Sequence, residues 1–193
     1  MYSPTTNIVL SGVGGQGILL ASAVISHAAM MSDYDVKTNE VHGMAQRGGS
    51  VIAQIRFGKK VLSPLIKRGE ADFLLALEKA EAVRFANYLK SDGVAVVNMQ
   101  KVIPVTVSSG MSTYPDNIDS VIKERFPNVK TLDCIAIARE IGNVRVANVV
   151  LIGALSGYLP FDMEIWEKVI SENVPKKALE ANIVAFNTGR NVS

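Results

Sequence analysis

The sequence predicts an α/β fold, with a mixed, mostly parallel sheet between helical layers and a helical C-terminal part. Three observations carry this. A short β-branched run stops at a glycine cluster that opens onto a helical pattern. Strand-like and helical stretches then alternate. Beyond Arg145 only helical patterns remain. The 193 residues suit one domain spanning 1–193, and a chain this long buries about 70% of the surface it exposes when unfolded.

Residues 7–11, Asn-Ile-Val-Leu-Ser, read as a buried strand. Gly12-Val13-Gly14-Gly15-Gln16-Gly17 follows, and a helix is predicted over 18–31. Ile18, Ala21, Ser22, Ile25 and Ala29 lie on one side of it at helical spacing. A second strand over 34–41 completes a βαβ unit, with parallel strands and a right-handed crossover. The loop from His42 to Gly49 has eight residues, too few for a crossover helix. If the strand over 50–57 neighbours the second strand, it therefore runs antiparallel to it. Ser63-Pro64-Leu65-Ile66 reads as irregular. Further strands are expected over 71–77, 93–98, 102–107 and 129–132. Helices are expected over 79–89, 117–126 and 135–141, then over 146–158, 163–173 and 176–186. Residues 187–193 are expected to fray. The architecture is Rossmann-like: a three-layer sandwich.

Composition excludes several classes. One cysteine and two histidines leave no internal disulfide, no all-Cys/His zinc site and no Cys-ligated cluster within the chain. No metal site is predicted, and a reducing, cytoplasmic setting fits best. Cys134 reads as a core thiol and His27 as a polar or capping residue. Twenty basic residues against 18 acidic ones, with no long basic run, argue against nucleic acid. Met1-Tyr2-Ser3-Pro4 lacks the basic start of a secretion signal. The longest apolar stretch, 144–159, is interrupted by Arg145, Asn148, Gly153 and Ser156. It falls short of the roughly 20 residues of a membrane helix. A soluble protein is expected.

The chemistry concentrates in two glycine segments. Gly12, Gly14 and Gly17, with Gly15 and Gln16 between them, join a strand to a helix start. Such a turn permits close backbone approach and offers unpaired N–H groups to a phosphate. The alternative is that these glycines only let strand and helix pack closely. An acidic residue about 20 positions on would hold a ribose. Asp35 and Glu40 are the candidates, and Glu40 is the better placed. No Lys-Ser or Lys-Thr follows the last glycine, so this is not a P-loop. The second segment carries His42, Gln46, Arg47, Gly48 and Gly49. It leaves the second strand on the same sheet edge, so the two loops should meet there. Arg47 is suited to grip a phosphate or carboxylate, and His42 to donate a proton or hydrogen bond. The alternative pairs Arg47 with Glu40 and leaves the glycines to turn the chain.

Gly12 to Gly17, and Glu40-Val41-His42-Gly43-Met44-Ala45-Gln46-Arg47-Gly48-Gly49-Ser50-Val51, resemble the gamma-type domain of 2-oxoacid:ferredoxin oxidoreductases. Ser63 to Ile66, with Gly69-Glu70-Ala71-Asp72 and Glu78, adds to it. Within that family the chain is most similar to the indolepyruvate-type small subunits. The resemblance implies a subunit that is not an enzyme alone. A large partner would carry thiamine diphosphate, Mg and the iron–sulfur clusters. Coenzyme A would take the acyl group and ferredoxin the electrons. The substrate would be indolepyruvate or another arylpyruvate. This chain lacks the Gly-Asp-Gly thiamine diphosphate signature and has too few cysteines for a cluster, so it would bind no cofactor alone. The two glycine segments would support coenzyme A access and assembly, and the isolated chain would self-associate. Two other readings stay open: a free-standing NAD- or FAD-binding protein, and a purely structural partner subunit.

Overall fold

The computed structural model describes residues 5–43 and 48–192. Six strands form one sheet in the order β2-β3-β1-β4-β5-β6. They span β1 Thr6–Val13, β2 Asp35–His42, β3 Ser50–Gly58, β4 Ala71–Ala76, β5 Leu89–Asn98 and β6 Val129–Leu132. β1, β4, β5 and β6 run parallel. β3 is antiparallel to both β1 and β2, so the expected direction of 50–57 is found. The βαβ expectation needs correction. β2 is parallel to β1 but does not pair with it, because β3 lies between them. The burial pattern gives the reason. β3 is buried along nearly its whole length, whereas β2, with Asp35, Lys37, Thr38, Asn39 and Glu40, is largely exposed. A polar strand sits at the edge and an apolar one inside.

Alternation along β1 divides the interior. Ile8 and Leu10 face α1 (Ile18–Met31) and the C-terminal helices, and Val9 faces the other side. Those helices are α5 Cys134–Glu140, α6 Ala147–Ser156, α7 Met163–Asn173 and α8 Leu179–Asn191. A chain of rings, Tyr34, Phe57, Phe161, Trp166 and Phe186, runs through this layer with centroids 5.2–5.5 Å apart. The opposite layer holds α2 Lys79–Arg84 and α4 Ile118–Arg125, packed through Ala82, Ile118 and Ile122. The three-layer α/β arrangement is as expected.

Local expectations differ in four places. Residues 102–107 are not a strand. Pro104 interrupts them, a short helix α3 spans Val105–Ser108, and β6 occupies the free edge of β5. Helix 79–89 is shorter, because Leu89 already pairs with Ala71 as the start of β5. The helix over 176–186 begins as a 3-10 turn, Lys176–Ala178. The C-terminus holds its helix to Asn191 rather than fraying. There Gly189 lets α8 lie directly on α6: a Cβ at this position would stand 1.9 Å from the Val150 carbonyl oxygen. The Arg190 guanidinium also donates to Ser156 Oγ at 2.8 Å.

Candidate functional site

The carboxyl ends of β1, β4 and β5 form one edge of the sheet, and the chain leaves β1 and β4 in opposite directions across it. This is where an open α/β sheet leaves a crevice. Gly12 belongs to β1 rather than to the turn and lies opposite Val51. A Cβ there would press on Gln16, Ile18 and Leu77, so this glycine serves close packing. The turn proper is 14–17. Gly15 and Gly17 hold φ of 102° and 82°, which side-chain-bearing residues rarely adopt. Gly17 caps α1 without a side-chain bond, and the first turn of the helix carries no acidic residue. The leading N–H groups of α1 precede its first i→i−4 bond, from Ala21 to Gly17, and thus lack helical acceptors.

The two glycine segments meet, as the parallel run of β1 and β2 requires. Gly14 N donates to the Gly49 carbonyl at 2.8 Å, and Gly48 N to the Gly14 carbonyl at 3.4 Å. Gln16 is consumed in positioning the turn. Its Oε1 accepts from Val13 N, and its Nε2 donates to the Leu77 carbonyl and to Gln100 Oε1. Asn98, buried beside it, donates to the Leu77 carbonyl and accepts from Cys134 N at the start of α5.

Two clefts flank the turn. One, of about 250 Å³, is lined by Gly15, Gln16, Gln100, Arg145 and Asn148 among others. The other, of about 300 Å³, holds Gly14, Gly17, Ile18, Leu19 and His42. Glu40 lies away from both. It sits on the exposed edge strand opposite Ala53, two strand spacings from β1, or about 10 Å. The ribose-holding role expected for it depends on β2 lying next to β1 and does not fit this sheet. Gln46 and Arg47 lie outside the described residues.

Sequence reasoning missed Arg145 and Asn148, which reach the crevice from the far end of the chain. Arg145 is exposed and sits just before α6. The positive end of a helix is a poor place for a cation, and that misplacement was the available signal. Asn148 donates weakly to the Gly17 carbonyl at 3.4 Å, and its Oδ1 is buried without a partner in the described structure. On the other side of the sheet, Glu81 accepts from Ser50 Oγ and from Arg84, fixing the start of β3 directly after the second glycine segment. Glu78, also buried, accepts from Tyr114 Oη at 2.6 Å and from Val102 N. Burial and that carboxylate push the Tyr114 hydroxyl above its ordinary range.

Burial pushes the Cys134 thiol up to about 12, so it is no nucleophile. Among the described residues no three His, Cys, Asp or Glu side chains gather as a metal site, and no helix is long and apolar enough to cross a membrane. A single buried thiol does not fit an iron–sulfur cluster. What the two clefts offer together, among the described residues, is the leading N–H groups of α1, one exposed guanidinium and carboxamides, a set suited to an anion.

The family model for pyruvate ferredoxin/flavodoxin oxidoreductase matches residues 7–192. The Pyrococcus horikoshii protein named indolepyruvate oxidoreductase subunit IorB is 46% identical over 95% of this chain and 93% of its own length. The Archaeoglobus fulgidus protein of the same name is 42% identical over 96% and 94%. A 2-oxoglutarate synthase subunit KorC from Methanothermobacter marburgensis is 29% identical over 95% and 94%. Among solved structures, the gamma subunit of a keto/oxoacid ferredoxin oxidoreductase from Geobacter sulfurreducens superposes with TM-score 0.72 at 25% identity, covering 97% of both chains. A 2-oxoglutarate:ferredoxin oxidoreductase from Magnetococcus marinus, solved with coenzyme A and succinyl-CoA, superposes with TM-score 0.74 at 20% identity. It covers 98% of this chain and 31% of that one.

Proposed function

Because the chain belongs to the pyruvate ferredoxin/flavodoxin oxidoreductase family, we propose that it is the small subunit of a cytoplasmic complex that oxidatively decarboxylates indolepyruvate or another arylpyruvate. The product is the acyl-CoA, and ferredoxin takes the electrons. The identity to proteins named indolepyruvate oxidoreductase subunit, over nearly the full length of both chains, supports the substrate class. Thiamine diphosphate, Mg and the iron–sulfur clusters reside on the larger partner, where the decarboxylation and electron chemistry occurs. The residues of this chain bind and orient the anionic part of coenzyme A.

One observation carries the coenzyme A reading. The first turn of α1 is uncapped and free of carboxylates; Gly17, Ile18 and Leu19 open on one cleft, and Gly15, just before the helix, lines both that cleft and the neighbouring one that holds Arg145. An anion seated at Gly15, where the two clefts adjoin, draws on both the helix dipole and the guanidinium. Arg47, from the second glycine segment, is a further cation for the same anion. A dinucleotide-binding role is less well supported, because Glu40 sits on the wrong strand for a ribose. The reading is tested by reconstitution. The isolated chain, self-associated in the absence of its partner, should show no turnover with thiamine diphosphate and coenzyme A. Addition of the larger subunit should restore 2-oxoacid-dependent dye or ferredoxin reduction. Turnover by the isolated chain would refute it.

A further inference from the structure

The loop between β3 and β4, residues 59–70, lies at the sheet edge opposite the crevice. β3 begins at the crevice with Ser50 and reaches this loop at Gly58. β1, with its eight residues, separates the two ends by about 25 Å. The loop has no regular secondary structure, yet it is held at many points. Val61 and Ile66 are buried in the protein. Ile66 N donates to Oε1 of the buried Gln54 at 2.7 Å. Arg56 donates to the Ser63 and Leu65 carbonyls at 2.9 and 3.2 Å, and is itself oriented by Asn7. Val61 N donates to Asp35 at 2.8 Å.

This lattice presents two leucines outward, Leu62 at 86% and Leu65 at 59% exposure. Exposed Lys59 and Lys60 flank them on one side, and Lys67 and Arg68 on the other; the only carboxylate in the loop is Glu70. An apolar pair inside a charged rim is the anatomy of an interface. A pinned loop also gives up little freedom on binding. The charge selects the occupant. Glu70 pairs with Lys67 at 4.0 Å, which leaves Lys59, Lys60 and Arg68 as net positive charge; a two-fold contact between copies of this chain would bring two such net-positive loops together, and like charges in register are costly.

We infer that this loop is a docking hook for the larger subunit of the complex, on a surface of that subunit with an apolar centre and an acidic rim. The inference rests on the reading of the chain as a small subunit, but not on what the crevice binds.

The test titrates the full-length chain against the larger subunit from the same source, at low and at high salt. Leu62→Ala/Leu65→Ala should weaken binding about ten-fold or more per leucine, with the thermal midpoint of the isolated chain unchanged because both side chains are exposed. Lys59→Glu/Lys60→Glu should also weaken binding and flatten its salt dependence. Wild-type affinity in both variants overturns the inference. So does a leucine variant that loses self-association but keeps the larger subunit, since the hook would then serve a second copy. Failure of the wild-type chain to bind the larger subunit overturns the small-subunit reading itself, and the hook with it.

Discussion

Replacing Arg145 with alanine tests the crevice most directly. Arg145 lines the cleft beside Gly15 and Asn148, and no acidic residue forms a salt bridge with it among the described residues. The substitution should therefore leave no buried charge behind. Two unit charges about 4 Å apart interact by about 1 kcal/mol in water and about 4 kcal/mol at an effective dielectric of 20. Because Arg145 is exposed, the lower part of that range applies. A loss of about 1.5 kcal/mol corresponds to roughly a ten-fold rise in the apparent KM for coenzyme A. The assay is steady-state kinetics on the assembled complex, varying coenzyme A at saturating 2-oxoacid. The KM for the 2-oxoacid should move less, and Arg145→Lys should recover part of the loss. Screening supplies a second readout. The gap between wild type and variant should narrow as ionic strength rises from about 0.1 M to 1 M, where the Debye length falls from about 10 to 3 Å. An unchanged coenzyme A KM in a normally assembled Arg145→Ala complex would refute the anion reading of this cleft.

Three further outcomes are expected. Gly189→Ala places a methyl group 1.9 Å from the Val150 carbonyl oxygen. Overpacking of about 1–3 kcal/mol should lower the thermal midpoint by roughly 2–12 °C, and a midpoint equal to wild type would contradict the α6–α8 contact. Cys134 should resist iodoacetamide at pH 8 in the folded chain and react readily in denaturant, since its buried thiol ionises only near 12; alkylation of the native chain at the rate of a free thiol would count against its burial. The hydrogen bond from Lys37, then that from Val61 N, holds the Asp35 carboxyl below its ordinary 3.8. Its contribution to stability is thus present above pH 3.8 and is lost as pH falls through the lowered folded-state value. Urea midpoints of wild type and Asp35→Asn should differ at neutral pH and converge in acid, and a constant gap would refute the assignment.

The sequence by itself determined the features that short-range physics controls. Gly14 to Gly17 were fit to turn, because glycine adopts the positive φ found at Gly15 and Gly17 without the steric cost a side chain brings. The short link between His42 and Ser50 left no room for a crossover helix, so β2 and β3, if neighbours, had to be antiparallel, as they are. Ile18 to Met31 had to be a helix with small residues against the sheet. Only the tertiary structure decided which strands are neighbours. The insertion of β3 between β2 and β1 moved Glu40 off the crevice, and no periodicity within either strand states its partner. The polar run of β2 does carry the information that it seeks an edge, but only once the burial of β3 is known. Arg145 and Asn148 reach Gly15 and Gly17 across most of the chain, because α1 and α6 bury their apolar residues in the same core. Residues 102–107, with five strand-forming side chains around Pro104, lost their place to β6, since a sheet edge admits one strand. Local rules set what each segment is; competition for the same buried faces and edges set where it lies, and the crevice is a product of where.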